Sequence, residues 1–151
     1  MIKKIKELSL EEKIGQLFVV GFNEDHYSTK IDELIKKYKF GNIILFKRNI
    51  SSMESLFKIN KQIQKTMLET LNIPAFIAID QEGGMVTRLF NGATVFPGAM
   101  TLSATGNKEN AYKAGTYMAT EMDALGINVN FAPVLDVNTN PLNPGIRIRS
   151  Y

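Results

Sequence analysis

From Ala75 to Ile79 the chain is apolar at every position, Ala-Phe-Ile-Ala-Ile, and the run stops abruptly at Asp80, Gln81 and Glu82, before Gly83 and Gly84. A strand with one wet face alternates polar with apolar residues. A strand that does not alternate belongs in a parallel sheet, buried on both faces. A carboxylate at the carboxyl tip of such a strand, followed by glycines, is how α/β folds present polar groups to a ligand.

The remaining segments agree with a parallel sheet. Ser9-Leu10-Glu11-Glu12 is a capping box that opens a short helix ending near Gly15, and Leu17–Val20 reads as a first buried strand closed by Gly21. After a polar loop, Ile31, Leu34, Ile35 and Tyr38 recur at helical spacing within Thr29–Tyr38. Ile43–Phe46 is a second strand, and Ser51 with Glu54 forms a capping box for a helix reaching about Leu71. Residues 81–107 show no clear periodicity, and connections of that length are usually functional. The helical pattern returns over Lys108–Leu125, with Ala111, Ala114, Gly115, Met118, Ala119 and Met122 forming a stripe suited to close packing on a sheet. Gly126 stops it, Ile127–Val137 is a fourth strand interrupted by Pro133, and the end of the chain reads as loop stiffened by Pro141 and Pro144. No sequence repeat, low-complexity segment or linker divides residues 1–151.

Strand and helix in strict succession imply right-handed crossovers. Two architectures satisfy this: a doubly wound open sheet, or part of a (β/α)8 barrel. In a barrel every loop after a strand lies on one rim. Those loops carry Lys47, Arg48, Asp80, Glu82, Arg88, Asp136, Arg147 and Arg149, whereas the turns entering the strands are short and plain.

Composition narrows the function classes. The 151 residues are 44% hydrophobic and 22% charged, with a net charge of +3 and no cysteine. Lysines are scattered among glutamates, so nucleic acid is not an expected partner. There is no thiol nucleophile or thiolate metal site, and no cofactor or metal is expected. Met1-Ile2-Lys3-Lys4 resembles the start of an export signal, but Glu7, Glu11 and Glu12 interrupt any apolar continuation, and no run approaches a membrane span. The expectation is a soluble, cytoplasmic chain. Neither phosphate-loop pattern is present, which argues against a nucleotide binder.

Asp80 and Glu82 would point the same way on a continuing strand. A glycosidase acid and nucleophile stand about 5 to 9 Å apart across the substrate. Gly83-Gly84 turns the chain immediately, which argues against that pair. The strand-tip position makes Asp80 a candidate ligand-binding residue, with a strand-end ion pair or N-cap as the alternative, and Glu82 reads as a structural contact. His26 is the only histidine, and it lies in a polar loop that suits an exposed side chain better than a general base. From pattern alone Arg88 is as much a surface ion-pair partner as a ligand fork, and Arg147 and Arg149 read as solvated loop charges.

Four segments in the right order carry a resemblance: LSLEEKIGQLFVVGF at 8–22, IDQEGGMVTRL at 79–89, VFPGAM at 95–100 and APVLDVNTNPLNP at 132–144. They are similar to the N-terminal half of the catalytic barrel of glycoside hydrolase family 3, in its β-N-acetylhexosaminidase branch. The resemblance implies the first four strands of a (β/α)8 barrel with helices outside. It implies cleavage of terminal β-linked N-acetylglucosamine, from peptidoglycan or chitin fragments, with retention through a glycosyl-enzyme. It assigns substrate binding to Asp80, Arg88 and Arg149. The family's lysine-histidine pair, its histidine acid/base and its aspartate nucleophile have no counterpart in these residues. No catalytic residue is therefore assigned, and the 151 residues alone are expected to be inactive. Gly145 and Arg147 depart from the family's apolar-glycine pattern, and Arg147 stands where the family has glycine. The alternatives are a β-glucosidase of the same family and a non-catalytic sugar-binding or assembly module. Half a barrel leaves sheet edges without partners, so a homo-oligomer is expected.

Overall fold

The computed structural model describes residues 5–140 and 142–151. The leader-like Met1–Lys4 and Pro141 lie outside the described residues. Four strands form one parallel sheet in consecutive order: β1 (Val19–Val20), β2 (Asn42–Leu45), β3 (Phe76–Ile79) and β4 (Val129–Asn130). The helices are α1 (Leu10–Gly15), α2 (Thr29–Tyr38), α3 (Met53–Leu71), α4 (Ala99–Ala104) and α5 (Lys108–Ala124).

Local chemistry explains most boundaries. Ser9 caps α1 by accepting a hydrogen bond from Glu12 N at 3.2 Å, while the Glu12 carboxylate accepts from Ser9 N at 2.7 Å. Asn72 ends α3 in the left-handed region, and Leu125 follows α5 just before Gly126, which has φ +76°. The cap of α3 is Ser52, not Ser51: its hydroxyl accepts from Ser55 N at 3.0 Å, and Glu54 pairs instead with Lys58 one turn on. Adjacent serines are equivalent cappers. The one used depends on where the chain leaves the preceding 3-10 turn at Lys47–Asn49.

Ile43 and Leu45 of β2 and Ile77 and Ile79 of β3 share one core with Ile31 and Ile35 of α2, Leu56, Ile59, Ile63 and Met67 of α3, and Ala114, Met118 and Met122 of α5. Each isoleucine, leucine or methionine side chain, where fully buried, contributes about 1.5–3 kcal/mol. The helices thus cover one face of the sheet. That separates a barrel segment from a doubly wound sheet, which carries helices on both faces. Because strand side chains alternate, Phe76 and Ala78 lie on the opposite face. Phe76 is 63% exposed there, so β3 is not buried on both faces over its whole length.

The structure corrects four further expectations. β1 is shorter than Leu17–Val20 and is an edge strand; Leu17 is 81% exposed because only β2 pairs with this strand. Residues 81–107 contain α4, a six-residue helix too short for a periodic signal. The fourth strand is only Val129–Asn130, and the chain leaves the sheet before Pro133. Along α5, Gly115 and Ala119 are exposed, and a Cβ on Gly115 would meet nothing within 4 Å. That flank lies over the β4 edge, where no described element covers it.

Candidate sugar-binding site

The short β4 holds β3 through side chains. Asn128 Oδ1 accepts from Ile77 N at 2.8 Å and its Nδ2 donates to Ala75 O at 3.0 Å. Asn130 does the same one step up: Oδ1 accepts from Gln81 N at 3.0 Å and Nδ2 donates to Gln81 O at 2.9 Å. These carboxamides replace ladder bonds that a longer strand would supply, so the tip of β3 is fixed where the site begins.

Gln81 then shapes the loop beyond. Its side chain is buried; Oε1 accepts from Arg88 N at 2.8 Å and Leu89 N at 3.1 Å, and Nε2 donates to Leu89 O at 3.3 Å. A buried amide with its capacity met in this way is a strong local constraint. Glu82 N donates to Val86 O at 3.0 Å, closing a tight hairpin. Gly83 and Gly84 have φ of +88° and +58°. A Cβ on Gly83 would lie 2.4 Å from Pro97 O, and one on Gly84 2.9 Å from the Gly98 Cα. These glycines permit backbone to meet backbone at the start of α4. Farther along, Thr94 N and Oγ1 both donate to the Glu121 carboxylate, tying this connection to α5.

This folding brings Arg88 back to the strand end. Its Nη2 donates to Asp80 Oδ2 at 3.2 Å, leaving Oδ1 outside that contact. The two side chains are 24% and 25% exposed, so the pair is open to a ligand. Arg88 Nε is buried without a hydrogen-bond partner.

Arg149, in the 3-10 turn Arg147–Arg149, arrives from the end of the chain. It grips the Glu82 carboxylate with Nε at 2.9 Å and Nη2 at 2.6 Å, while Nη1 donates to Gly145 O at 2.9 Å. The hydrogen bond to Glu82 raises the Arg149 pKa above its ordinary value; burial opposes this, and the charges of Glu82, Asp136 and Asp80 add to the rise. Asp80, Glu82, Arg88 and Arg149 therefore occupy one rim. Arg147 has a left-handed backbone, φ +43°, at the position where the resemblance calls for glycine.

Asp80 pairs with Arg88, and Arg149 reaches the same rim through Glu82. Sequence reasoning missed Gln81, Asn128 and Asn130, and treated Glu82 only as a generic structural contact. The one available signal was that these are polar residues inside or beside apolar strand runs. His26 stands apart, exposed, with Nδ1 3.1 Å from Asp25 Oδ1, and its hydrogen bond lowers the Asp25 pKa. Among the described residues no group of three or more His, Asp or Glu is arranged to hold a metal ion, and no helix is long and apolar enough to cross a membrane. A cleft of about 720 Å³ lies away from the rim, lined by Ile14, Phe18, Leu34 and Tyr38 along the exposed flank of β1.

Four parallel strands with helices on one face and charged side chains at the carboxyl ends of the strands define a barrel-type α/β domain. The chain belongs to glycosyl hydrolase family 3: the sequence model of that family's N terminal domain matches residues 9–151. It is 41% identical over 127 residues to the beta-hexosaminidase A of Pseudoalteromonas piscicida, covering 81% of this chain and 21% of that protein. A beta-hexosaminidase of Haemophilus influenzae is 38% identical over 109 residues, covering 70% of this chain and 30% of the relative. The chain thus spans less than a third of the length of these relatives.

Among solved structures, a glycoside hydrolase family 3 beta-N-acetylglucosaminidase from Paenibacillus sp. superposes with a TM-score of 0.92 at 49% identity, covering 95% of this chain and 27% of the other. NagZ from Neisseria gonorrhoeae, solved in complex with N-trifluoroacetyl-D-glucosamine, gives a TM-score of 0.64 at 31% identity, covering 78% of this chain and 36% of the other.

Proposed function

We propose that these residues form the sugar-holding part of a β-N-acetylhexosaminidase, with Asp80, Arg88 and Arg149 binding a terminal β-linked N-acetylglucosamine. The observation that carries this reading is the partly exposed Asp80–Arg88 pair at the tip of β3. A carboxylate accepts hydrogen bonds from sugar hydroxyls, and a guanidinium donates to them; bonds to a charged partner are roughly twice as strong as neutral ones. The pair holds each group in place before a sugar arrives, which reduces the ordering cost of binding. The hexosaminidase names of the matched relatives favour N-acetylglucosamine over glucose.

In this reading cleavage proceeds with retention through a glycosyl-enzyme. The nucleophile and the acid/base come from further βα units, so the 151 residues alone bind sugar weakly and do not turn it over. The exposed edges of the sheet support self-association of the isolated chain, and a cytoplasmic location goes with the same reading.

The test is a chimera in which these residues are continued by the downstream residues of the Paenibacillus relative. It is expected to hydrolyse p-nitrophenyl N-acetylglucosaminide, and to lose that activity on Asp80→Asn. Preference for the p-nitrophenyl glucoside would replace this reading with the β-glucosidase one. Binding of N-acetylglucosamine with no turnover by the chimera would leave a non-catalytic binding module.

A further inference from the structure

Glu82 differs from its neighbours on the rim. Its side chain is only 9% exposed, and both carboxylate oxygens are engaged by Arg149, whose own side chain is 32% exposed. A carboxylate spent in this way is poorly placed to bind a sugar. Its effect falls on the guanidinium. Arg149 has five N–H donors; Glu82 and Gly145 O take one each from Nε, Nη2 and Nη1, leaving one on each terminal nitrogen.

The two partners have different anchorage. Glu82 follows Gln81, which is locked through Asn130, and its own N–H closes the hairpin to Val86. Arg149 sits in a 3-10 turn at the end of a segment that, among the described residues, has no longer regular element after β4, and the turn begins at Arg147 in the left-handed region. That backbone conformation is sterically unfavourable for a non-glycine residue, so the turn needs a tether from elsewhere. The fork-to-carboxylate contact joins residues 67 apart in the chain. It fixes the guanidinium plane as well as its position, because two parallel bonds define an orientation that one does not.

We infer that Glu82 is the positioning residue for Arg149, transferring the rigidity of the β3 tip to the terminal turn and aiming the two free N–H groups of Arg149 at the ligand. This rests on the sugar-site reading above, and it adds a residue to which that reading gives no role.

The experiment is 15N NMR of the arginine Nε–Hε groups in the 151-residue chain, whose arginines are Arg48, Arg88, Arg147 and Arg149. Arg149→Lys assigns the Arg149 signal. In the unaltered chain that signal is expected to be resolved and to exchange with water more slowly than the signal of exposed Arg147. Glu82→Gln keeps the shape and removes the charge; it should speed exchange at Arg149 about tenfold or more, as loss of a charge-assisted bond implies. Glu82→Asp, which keeps a carboxylate, should restore part of the protection. Equal exchange at Arg149 and Arg147 in the unaltered chain overturns the inference without any variant. Unchanged Arg149 exchange in a folded Glu82→Gln also overturns it. Added N-acetylglucosamine is expected to shift the Arg149 signal in the unaltered chain and not in Glu82→Gln. Protection that depends on Glu82 without any response to the sugar supports the positioning role and removes the sugar reading instead.

Discussion

Gln81 and Asn130 form a reciprocal pair: the backbone N–H and C=O of one are satisfied at 3.0 and 2.9 Å by the side-chain carboxamide of the other. The contact does the work of a strand residue at the point where β4 ends and the charged rim begins. Asn130→Ala strips partners from both Gln81 backbone groups and is expected to cost about 1–3 kcal/mol, seen as a lower denaturation midpoint with an unchanged slope. Asn130→Asp keeps the shape but sets an acceptor against the Gln81 carbonyl, so it should be no better than alanine. A tolerated Asn130→Asp would show that the pair matters little.

Asp80→Asn removes the charge from the centre of the rim while keeping its shape. Affinity for N-acetylglucosamine, measured by titration, should fall about tenfold or more, the scale of one hydrogen bond to a charged group. The melting temperature should move little, because a partly exposed ion pair contributes about 0–1 kcal/mol.

Arg147→Gly tests the left-handed backbone at φ +43°. Glycine removes a steric cost of about 1–2 kcal/mol but loses about 0.4–1 kcal/mol to its greater freedom when unfolded. The net expectation is a gain of about 0.5–1 kcal/mol in chemical denaturation. Arg147→Ala, which retains a Cβ, should show no such gain.

Tyr27 provides a pH-dependent term. Its hydroxyl donates to Asp32 Oδ1 at 3.0 Å and lies 2.6 Å from Thr66 Oγ1, joining the 23–28 loop to α2 and α3. Burial leads the causes that push its pKa from 10.0 up to about 12. Between these values the folded state holds the phenolic proton more tightly than the unfolded state. Its contribution is therefore fully present below pH 10 and is lost as pH rises toward 12. Tyr27→Phe should flatten that part of the stability profile relative to the unaltered chain. Equal slopes in the two proteins would falsify the assignment.

The edge of β1 exposes Leu17, Phe18 and Val19, and the region beyond β4 exposes Phe131, Leu135 and Val137. Unpaired strands with apolar side chains associate. The 151-residue chain on its own is expected to elute as a dimer or larger species, with Phe18→Lys shifting it toward monomer. A monodisperse monomer with a cooperative melt, at concentrations where light scattering would detect a dimer, is the contrary result.

The amino-acid order alone was enough for the succession of βα units, the Ser9–Glu12 capping box, the helix stops and the position of Asp80 at a strand tip. Those features arise from periodicity and from hydrogen bonds reaching three or four residues, so a short window contains both partners. The shortness of β4, the exposed side of α5, the service of Asn128 and Asn130 as ladder substitutes and the grip of Glu82 on Arg149 emerged only from the folded chain. Each depends on groups tens of residues apart, and whether a polar side chain finds a backbone partner, a counter-ion or solvent is settled by which surfaces the assembled sheet and helices bring within about 3 Å.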